Sequence, residues 1–142
     1  MKSGTDLIRE AKARIREVSV SEVKQALGGA SAPVLLDIRE PNETNLGRLP
    51  GAVVIPRGTM ETKVEAVIPR DATVVIYCAS GNRSALAADT LQQMGYANVA
   101  SLAGGWMDWV TSGAIAFTRT PDGATSSARQ RVKWFTAALY AA

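Results

Sequence analysis

The chain has 142 residues, 46% hydrophobic and 20% charged, with a net charge of +3, which is typical of one globular domain large enough to bury a core. The longest apolar run, residues 72–79, is too short to cross a bilayer, and no apolar stretch follows Lys2 as in a secretory signal, so we expect no membrane partner. One cysteine and no histidine exclude an internal disulfide framework and the usual zinc sites, and they favour a cytoplasmic protein without a bound metal.

Helix and strand signals alternate along the first half of the chain. Helices are predicted where a capping residue or a turn precedes apolar residues at helical spacing: after Thr5 or Asp6, after Ser21, and over residues 59–67. Strands are predicted at short, continuous apolar runs: residues 17–20, 34–37 and 53–55.

The same alternation continues through the second half. We predict a strand from Thr73, a helix over 84–94 that Gly95 stops, a strand over 99–102 and a short helix through Trp106 and Trp109. Apolar strands that alternate with helices indicate an α/β fold in which a parallel sheet carries helices on both faces. Ligands of such sheets bind beyond the carboxyl ends of the strands.

The C-terminal segment is predicted to be a linker followed by a helix, Ala128–Tyr140. Its basic residues lie beside Trp134 and Phe135, a combination that can contact nucleic acid. An amphipathic helix that packs its aromatics inward is the better interpretation, so we expect no nucleic-acid partner. This helix is expected to pack on its own domain or to form a homodimer. We therefore predict an N-terminal helix in 1–17, a central domain in 18–117, and a linker and helix in 118–142.

The lone cysteine, Cys78, stands where a buried strand is predicted to end. A short loop of small and polar residues follows it, and the helix-forming run Ala85–Ala88 follows the loop. A strand, a tight loop and a helix N-terminus together make a pocket of backbone N–H groups that suits an anion. A cysteine after an apolar strand is usually only a small buried hydrophobe. The loop and its closing arginine favour a nucleophile with a lowered pKa instead.

Three motifs make the chain resemble the single-domain rhodanese sulfurtransferases. They occur in the family's order and spacing across residues 18–113: Leu36–Pro41 with Gly47–Ala52 and Ile55-Pro56, then Cys78–Ser84, then Leu102–Trp106 with Trp109. The resemblance implies a rhodanese-like three-layer α/β/α fold whose central, mostly parallel sheet has about five strands.

The resemblance also implies a reaction. Cys78 would attack the sulfane sulfur of thiosulfate or a similar anionic donor, hold it as a persulfide and pass it to cyanide or a thiol, which includes protein thiols. No cofactor is implied. The backbone N–H groups of six loop residues would stabilise the persulfide: Ala79, Ser80, Gly81, Asn82, Arg83 and Ser84.

Three charged residues near this loop have alternative roles. Arg83 can hold an oxygen of thiosulfate, or it can fix the loop through backbone carbonyls. The resemblance implies that Asp37 and Arg39 support the loop from beneath, while a surface ion pair between Arg39 and Glu40 is the simpler interpretation.

Three other functions compete with thiosulfate sulfur transfer. Tyrosine phosphatases also combine a cysteine, an N–H-lined loop and an arginine. They place five residues between the cysteine and the arginine, whereas this chain has four. The smaller loop suits one sulfur atom, so we expect no phosphatase activity. Regulatory rhodanese-like modules often lack the cysteine, which is present here. A carrier that exchanges persulfide sulfur between proteins, with little thiosulfate activity, is the remaining alternative.

Overall fold

The computed structural model describes residues 1–113, and within them five strands form one sheet in which every pairing is parallel. The strands are β1 (Arg16–Val18), β2 (Val34–Asp37), β3 (Val53–Val54), β4 (Val74–Tyr77) and β5 (Val99–Leu102). Their order in the sheet is β1-β5-β4-β2-β3. The prediction of a parallel sheet of about five strands is confirmed.

Helices cover both faces of this sheet. They are α1 (Gly4–Arg14), α2 (Val20–Leu27), α3 (Pro41–Thr44), α4 (Met60–Val67), which a 3-10 turn at Arg57–Thr59 precedes, α5 (Asn82–Gln93) and α6 (Gly105–Thr111). Alternate strand residues face opposite layers, as Leu36 packs with α4 and α5 whereas Leu35 packs with α2 and α6. The predicted three-layer α/β/α architecture is therefore confirmed.

The first two helices begin earlier than the sequence prediction, which was wrong about both caps. Ser3, not Thr5 or Asp6, caps α1, and Ser19, not Ser21, caps α2. In each case an acidic residue three positions later returns a hydrogen bond to the backbone N–H of the cap. This reciprocal pair satisfies two backbone donors at once, which a lone serine further along the chain cannot do. The earlier start of α2 ends β1 at Val18 instead of residue 20.

The N-terminal helix is attached to the helix that follows the cysteine loop. The guanidinium of Arg14 on α1 donates to both carboxylate oxygens of Asp89 on α5, at 3.0 and 2.8 Å, and Ala11 of α1 is fully buried. The predicted linker and C-terminal helix in 118–142 lie outside the described residues, so the three segment boundaries remain predictions. Within residues 1–113, no helix has the length and apolar character needed to span a membrane.

The parallel sheet brings one set of strand ends to a single edge. Asp37 ends β2, Cys78 directly follows β4, and Ala103 directly follows β5. Because all the strands run in one direction, the loops after them are neighbours in space although they are far apart in sequence. The candidate site lies at this edge.

Candidate active site

The Cys78 sulfur lies inside the turn that its own loop makes. The backbone N–H groups of Gly81 and Ser84 donate to Sγ at 3.1 and 3.4 Å, and the Ser84 hydroxyl oxygen lies 3.5 Å from Sγ. Only 1% of Cys78 is exposed, and the side chain belongs to the apolar cluster on the α4 and α5 side of the sheet. The cysteine is thus buried as a small hydrophobe would be, yet polar donors face its sulfur.

These donors lower the pKa of the Cys78 thiol. Burial by itself raises the pKa of Cys78, because it penalises the charged form. Hydrogen bonds from the Ser84 hydroxyl, the Ser84 N–H and the N–H groups of Gly81 and Ser80 outweigh burial, and the pKa of the Cys78 thiol is lowered from its ordinary value. The arrangement favours a thiolate, which is the nucleophilic form.

The helix after the loop begins two residues before its predicted start. Gly81 caps α5 in the left-handed region, with φ of 100°, and Asn82 is the first helical residue, where the sequence predicted Ser84. The N–H of Ser84 in the first helical turn therefore donates to the sulfur, and the positive end of the helix dipole lies beside it. Of the six predicted loop donors, Ala79, Asn82 and Arg83 have no backbone hydrogen bond to Sγ among those described.

The turn between β5 and α6 holds the cysteine loop from below. The N–H of Trp106 donates to the Cys78 carbonyl at 2.8 Å, and the N–H of Met107 donates to the Ala79 carbonyl at 3.0 Å. A Cβ atom on Gly105 would overlap the Cys78 carbonyl oxygen and would come within 2.9 Å of the Ala79 carbonyl carbon. Glycine at position 105 therefore permits the close approach of the two loops.

The described partner of Arg83 is a side chain that the sequence did not suggest. Its guanidinium forms a bidentate ion pair with Glu43 of α3, at 3.0 and 2.9 Å, at the partly exposed side of the loop. Sequence reasoning missed Glu43, because nothing local connects residues that are 40 positions apart. The pKa of Arg83 is raised chiefly by Glu43 and additionally by the Cys78 side chain.

The Arg83 pair makes a testable contribution to stability. The hydrogen bonds from Arg83 lower the pKa of Glu43 to about 2, below the value expected in the unfolded chain. A carboxylate with a lowered folded-state pKa stabilises fully above its unfolded pKa and loses that contribution as pH falls toward the folded one. We expect Glu43→Gln to be less stable than wild type at neutral pH and to approach it at about pH 2.

Denaturant unfolding of both proteins at the two pH values measures this effect. The matched control is Glu61→Gln, which removes the same charge from a more exposed carboxylate, the one that pairs with Arg57. We expect that control to change stability little at either pH, since exposed pairs contribute little. A stability difference between wild type and Glu43→Gln that is equal at both pH values would contradict the role of the ionised carboxylate.

Asp37 and Arg39 form a buried ion pair at the end of β2. The Arg39 side chain is 2% exposed and Asp37 is fully buried; Nη2 donates to Asp37 Oδ2 at 2.8 Å and Nε to Oδ1 at 3.0 Å. The surface pair between Arg39 and Glu40 is therefore a wrong interpretation. Arg39 also donates to the Gly47 carbonyl at 2.7 Å, and its guanidinium lies over the Trp106 ring, 4.6 Å from the centroid. Among the described contacts, the one with Trp106 connects Arg39 to the turn that bonds the cysteine loop.

A family model described as a rhodanese-like domain matches residues 19–112. The chain belongs to the rhodanese family. This match covers the strands β2 to β5 and the whole cysteine loop, and it places the chain among the rhodanese-like sulfurtransferases. Within residues 1–113, no cluster of three or more histidine, cysteine or acidic side chains is placed to hold a metal ion.

Three similar proteins come from bacteria. A sulfurtransferase of Allochromatium vinosum is 36% identical over 99 residues, which are 70% of this chain and 92% of that protein. A proposed sulfur carrier protein of Bacillus subtilis is 31% identical, over 77% of this chain and 58% of that protein. A solved structure from Rhodopseudomonas palustris, named as a possible tyrosine phosphatase of unknown function, is 34% identical with a TM-score of 0.71, and the alignment covers 80% of this chain and 92% of that one.

Proposed function

We propose that this rhodanese domain transfers a sulfane sulfur from thiosulfate, or a similar anionic donor, to a thiophilic acceptor through a persulfide on Cys78. The observation that carries the proposal is the group of donors around one sulfur atom: two backbone N–H groups at 3.1 and 3.4 Å and the Ser84 hydroxyl at 3.5 Å. The same donors that favour the thiolate suit the persulfide anion, because both place one negative charge on sulfur.

The reaction divides into two displacements. The Cys78 thiolate attacks the outer sulfur of thiosulfate; a sulfur–sulfur bond to the protein forms, and sulfite leaves with the electron pair of the bond that breaks. The persulfide then carries one negative charge. Cyanide or a thiolate attacks its outer sulfur, takes that sulfur away and regenerates the Cys78 thiolate. Charge and electrons balance in each step, so neither a cofactor nor an oxidant is needed.

Arg83 supports this reaction by its position. Its guanidinium is held by Glu43, and the Cys78 side chain contributes to its raised pKa, so Arg83 supplies a positive charge to the loop while the carboxylate fixes its orientation. We propose that Arg83 chiefly anchors the loop to α3. Asp37 and Arg39 are proposed to support the loop indirectly, by fixing the Trp106 ring.

The decisive experiment compares the wild type with Cys78→Ser in a thiosulfate:cyanide assay, with intact mass measured after exposure to thiosulfate. We expect thiocyanate production and one added sulfur atom in the wild type, and neither in the variant. Because Cys78 is the only cysteine in the chain, an added sulfur has one candidate position. Thiocyanate production that survives in Cys78→Ser would overturn the proposal.

Two further assays distinguish thiosulfate sulfur transfer from the sulfur-carrier and phosphatase functions. The sulfur carrier relative supports a second candidate, in which Cys78 exchanges sulfur mainly with other proteins. Rapid loading by a cysteine desulfurase, combined with negligible thiosulfate turnover, would favour that candidate.

Para-nitrophenyl phosphate tests the phosphatase activity suggested for the Rhodopseudomonas palustris relative. We expect no Cys78-dependent hydrolysis, since four residues separate Cys78 from Arg83 and Glu43 holds the guanidinium.

Location and oligomeric state are the remaining parts of the proposal. The single cysteine, free in the structure, supports a role in the reducing cytoplasm, where a reactive thiol persists. A homodimer through residues 128–140 remains a prediction, because those residues lie outside the described part of the chain. Gel filtration of the full chain and of a version that ends near residue 125 tests it.

A further inference from the structure

A buried pair of hydroxyl groups lies behind the cysteine sulfur. The Ser84 and Ser101 oxygens are 2.8 Å apart, both residues are fully buried, and Ser84 Oγ lies 3.5 Å from Cys78 Sγ. Ser101 belongs to β5, where its neighbours Ala100 and Leu102 are apolar. A polar side chain inside a buried strand needs a hydrogen-bond partner, and Ser84 supplies it.

The charge on the sulfur fixes the direction of these hydrogen bonds. A thiolate can only accept, so the Ser84 hydroxyl donates its single proton to Sγ when Cys78 is ionised. The Ser84 oxygen is then free to accept, and the Ser101 hydroxyl can donate to it. The chain of donors runs from Ser101 to Ser84 to the sulfur, and each bond polarises the next.

We propose that Ser101 is a positioning residue, which orients the Ser84 hydroxyl toward Cys78 and thereby favours the ionised thiol. An effect of Ser101 on sulfur transfer rests on the proposed function. Its effect on the ionisation of Cys78 does not, because ionisation is measured without any sulfur donor. Ser101 lies 17 residues beyond Ser84 and outside the cysteine loop. It acts on the sulfur through Ser84 alone.

The charged groups around Cys78 act separately from this chain of donors. Arg83 of α5 interacts electrostatically with the Cys78 side chain and is paired with Glu43 of α3. Asp37 at the end of β2 is neutralised by Arg39 in the buried pair. Strand β5 carries no charged residue, so Ser101 contributes a hydrogen bond and no electric charge. A change at position 101 therefore leaves the charges around the thiol as they are.

The test titrates the thiolate of Cys78 by its ultraviolet absorbance, with Cys78→Ser as the blank, and measures the rate of alkylation by iodoacetamide at neutral pH. We expect Ser101→Ala to move the titration to higher pH and to slow alkylation about fivefold, the size of one net hydrogen bond. Ser84→Ala is expected to have a larger effect. The double variant is expected to match Ser84→Ala, because Ser101 then has no hydroxyl to orient.

The matched structural control is Val99→Ala in the same strand. Val99 is buried in the same apolar cluster as Cys78, but it carries no hydroxyl, so this variant lowers stability without moving the titration. If Ser101→Ala does not fold, Ser101→Thr and Ser101→Val replace it, since the two have the same shape and differ in the hydroxyl. We then expect the threonine variant to ionise at lower pH than the valine variant.

Two results would overturn the inference. One is a titration of Cys78 that is the same in Ser101→Ala as in the wild type although stability is lower, or the same in Ser101→Thr as in Ser101→Val. Ser101 would then be a packing residue only. The other is an additional slowing by Ser101→Ala in the Ser84→Ala background, which would show an effect that bypasses Ser84. Failure of the wild type to use thiosulfate would contradict the proposed function and leave the titration result unaffected.

Discussion

Replacement of Arg39 by methionine is expected to destabilise the domain by about 3–5 kcal/mol, because it leaves the buried Asp37 carboxylate without its partner. The pair is buried on both sides, with 2% of the Arg39 side chain and none of the Asp37 side chain exposed. The substitution also removes the donor to the Gly47 carbonyl and the cation over the Trp106 ring. Denaturant unfolding measures the loss in the free energy of unfolding.

Two controls identify the cause of that loss. The double variant Asp37→Leu with Arg39→Met removes both charges, and we expect it to recover much of the lost stability, since apolar pairs often replace buried ion pairs at little cost. Arg16→Met removes a cation from an exposed pair with Glu22, whose closest atoms are 3.8 Å apart, and is expected to change little. If Arg39→Met proved as mild as Arg16→Met, the buried pair would have no special role in stability.

Gly105→Ala is expected to lower stability by about 3 kcal/mol, the cost of overpacking a tight contact, and to slow alkylation of Cys78. Its Cβ would overlap the Cys78 carbonyl oxygen, and the backbone there has φ of 55°, where residues with side chains are strained. Relief of the overlap requires the two loops to separate, which breaks the bonds from Trp106 and Met107 to the loop carbonyls. The donors around the sulfur then lose their positions.

The control for this variant separates the overlap from backbone strain. Gly51 also has a positive φ, 72°, but no atom lies within 4 Å of the position of its missing Cβ. Gly51→Ala therefore introduces strain without overlap, and we expect a smaller loss of stability and unchanged alkylation of Cys78. Equal effects of the two variants on alkylation would show that the contact between the loops does not position the cysteine.

The sequence predicts much of the site because its main elements are local. The apolar run before Cys78, the small residues after it and the helix-forming run beyond them are consecutive, so periodicity and turn chemistry together locate the strand end and the N–H-lined loop. The helix starts were less accurate. Ser3 and Ser19 were missed as caps because the signal lies in the spacing of serine and the acidic residue that returns the bond, not in the serine alone.

The contacts between distant residues were not predictable in the same way. The partner of Arg83 in the structure is Glu43, 40 residues earlier, which no local pattern indicates. Arg39, for which the sequence also allows a surface pair with Glu40, is buried against Asp37 and Trp106. Ser101 gives no signal in the sequence, since it is one serine in an apolar strand. Each of these partners depends on which strands are neighbours, and a single sequence does not state the strand order.

Several features follow from the amino-acid sequence alone: the parallel α/β sheet with its helical layers, the cysteine at the end of a strand and the loop of small residues after it. These features follow from residues adjacent along the chain, where hydrophobic burial and backbone hydrogen bonds act over one or two turns. The contacts that hold this loop, from Glu43, the Trp106 turn and the Ser101 hydroxyl, arise from the tertiary fold and from no local pattern. Each of these contacts forms because the β1-β5-β4-β2-β3 order brings separate segments to one edge of the sheet.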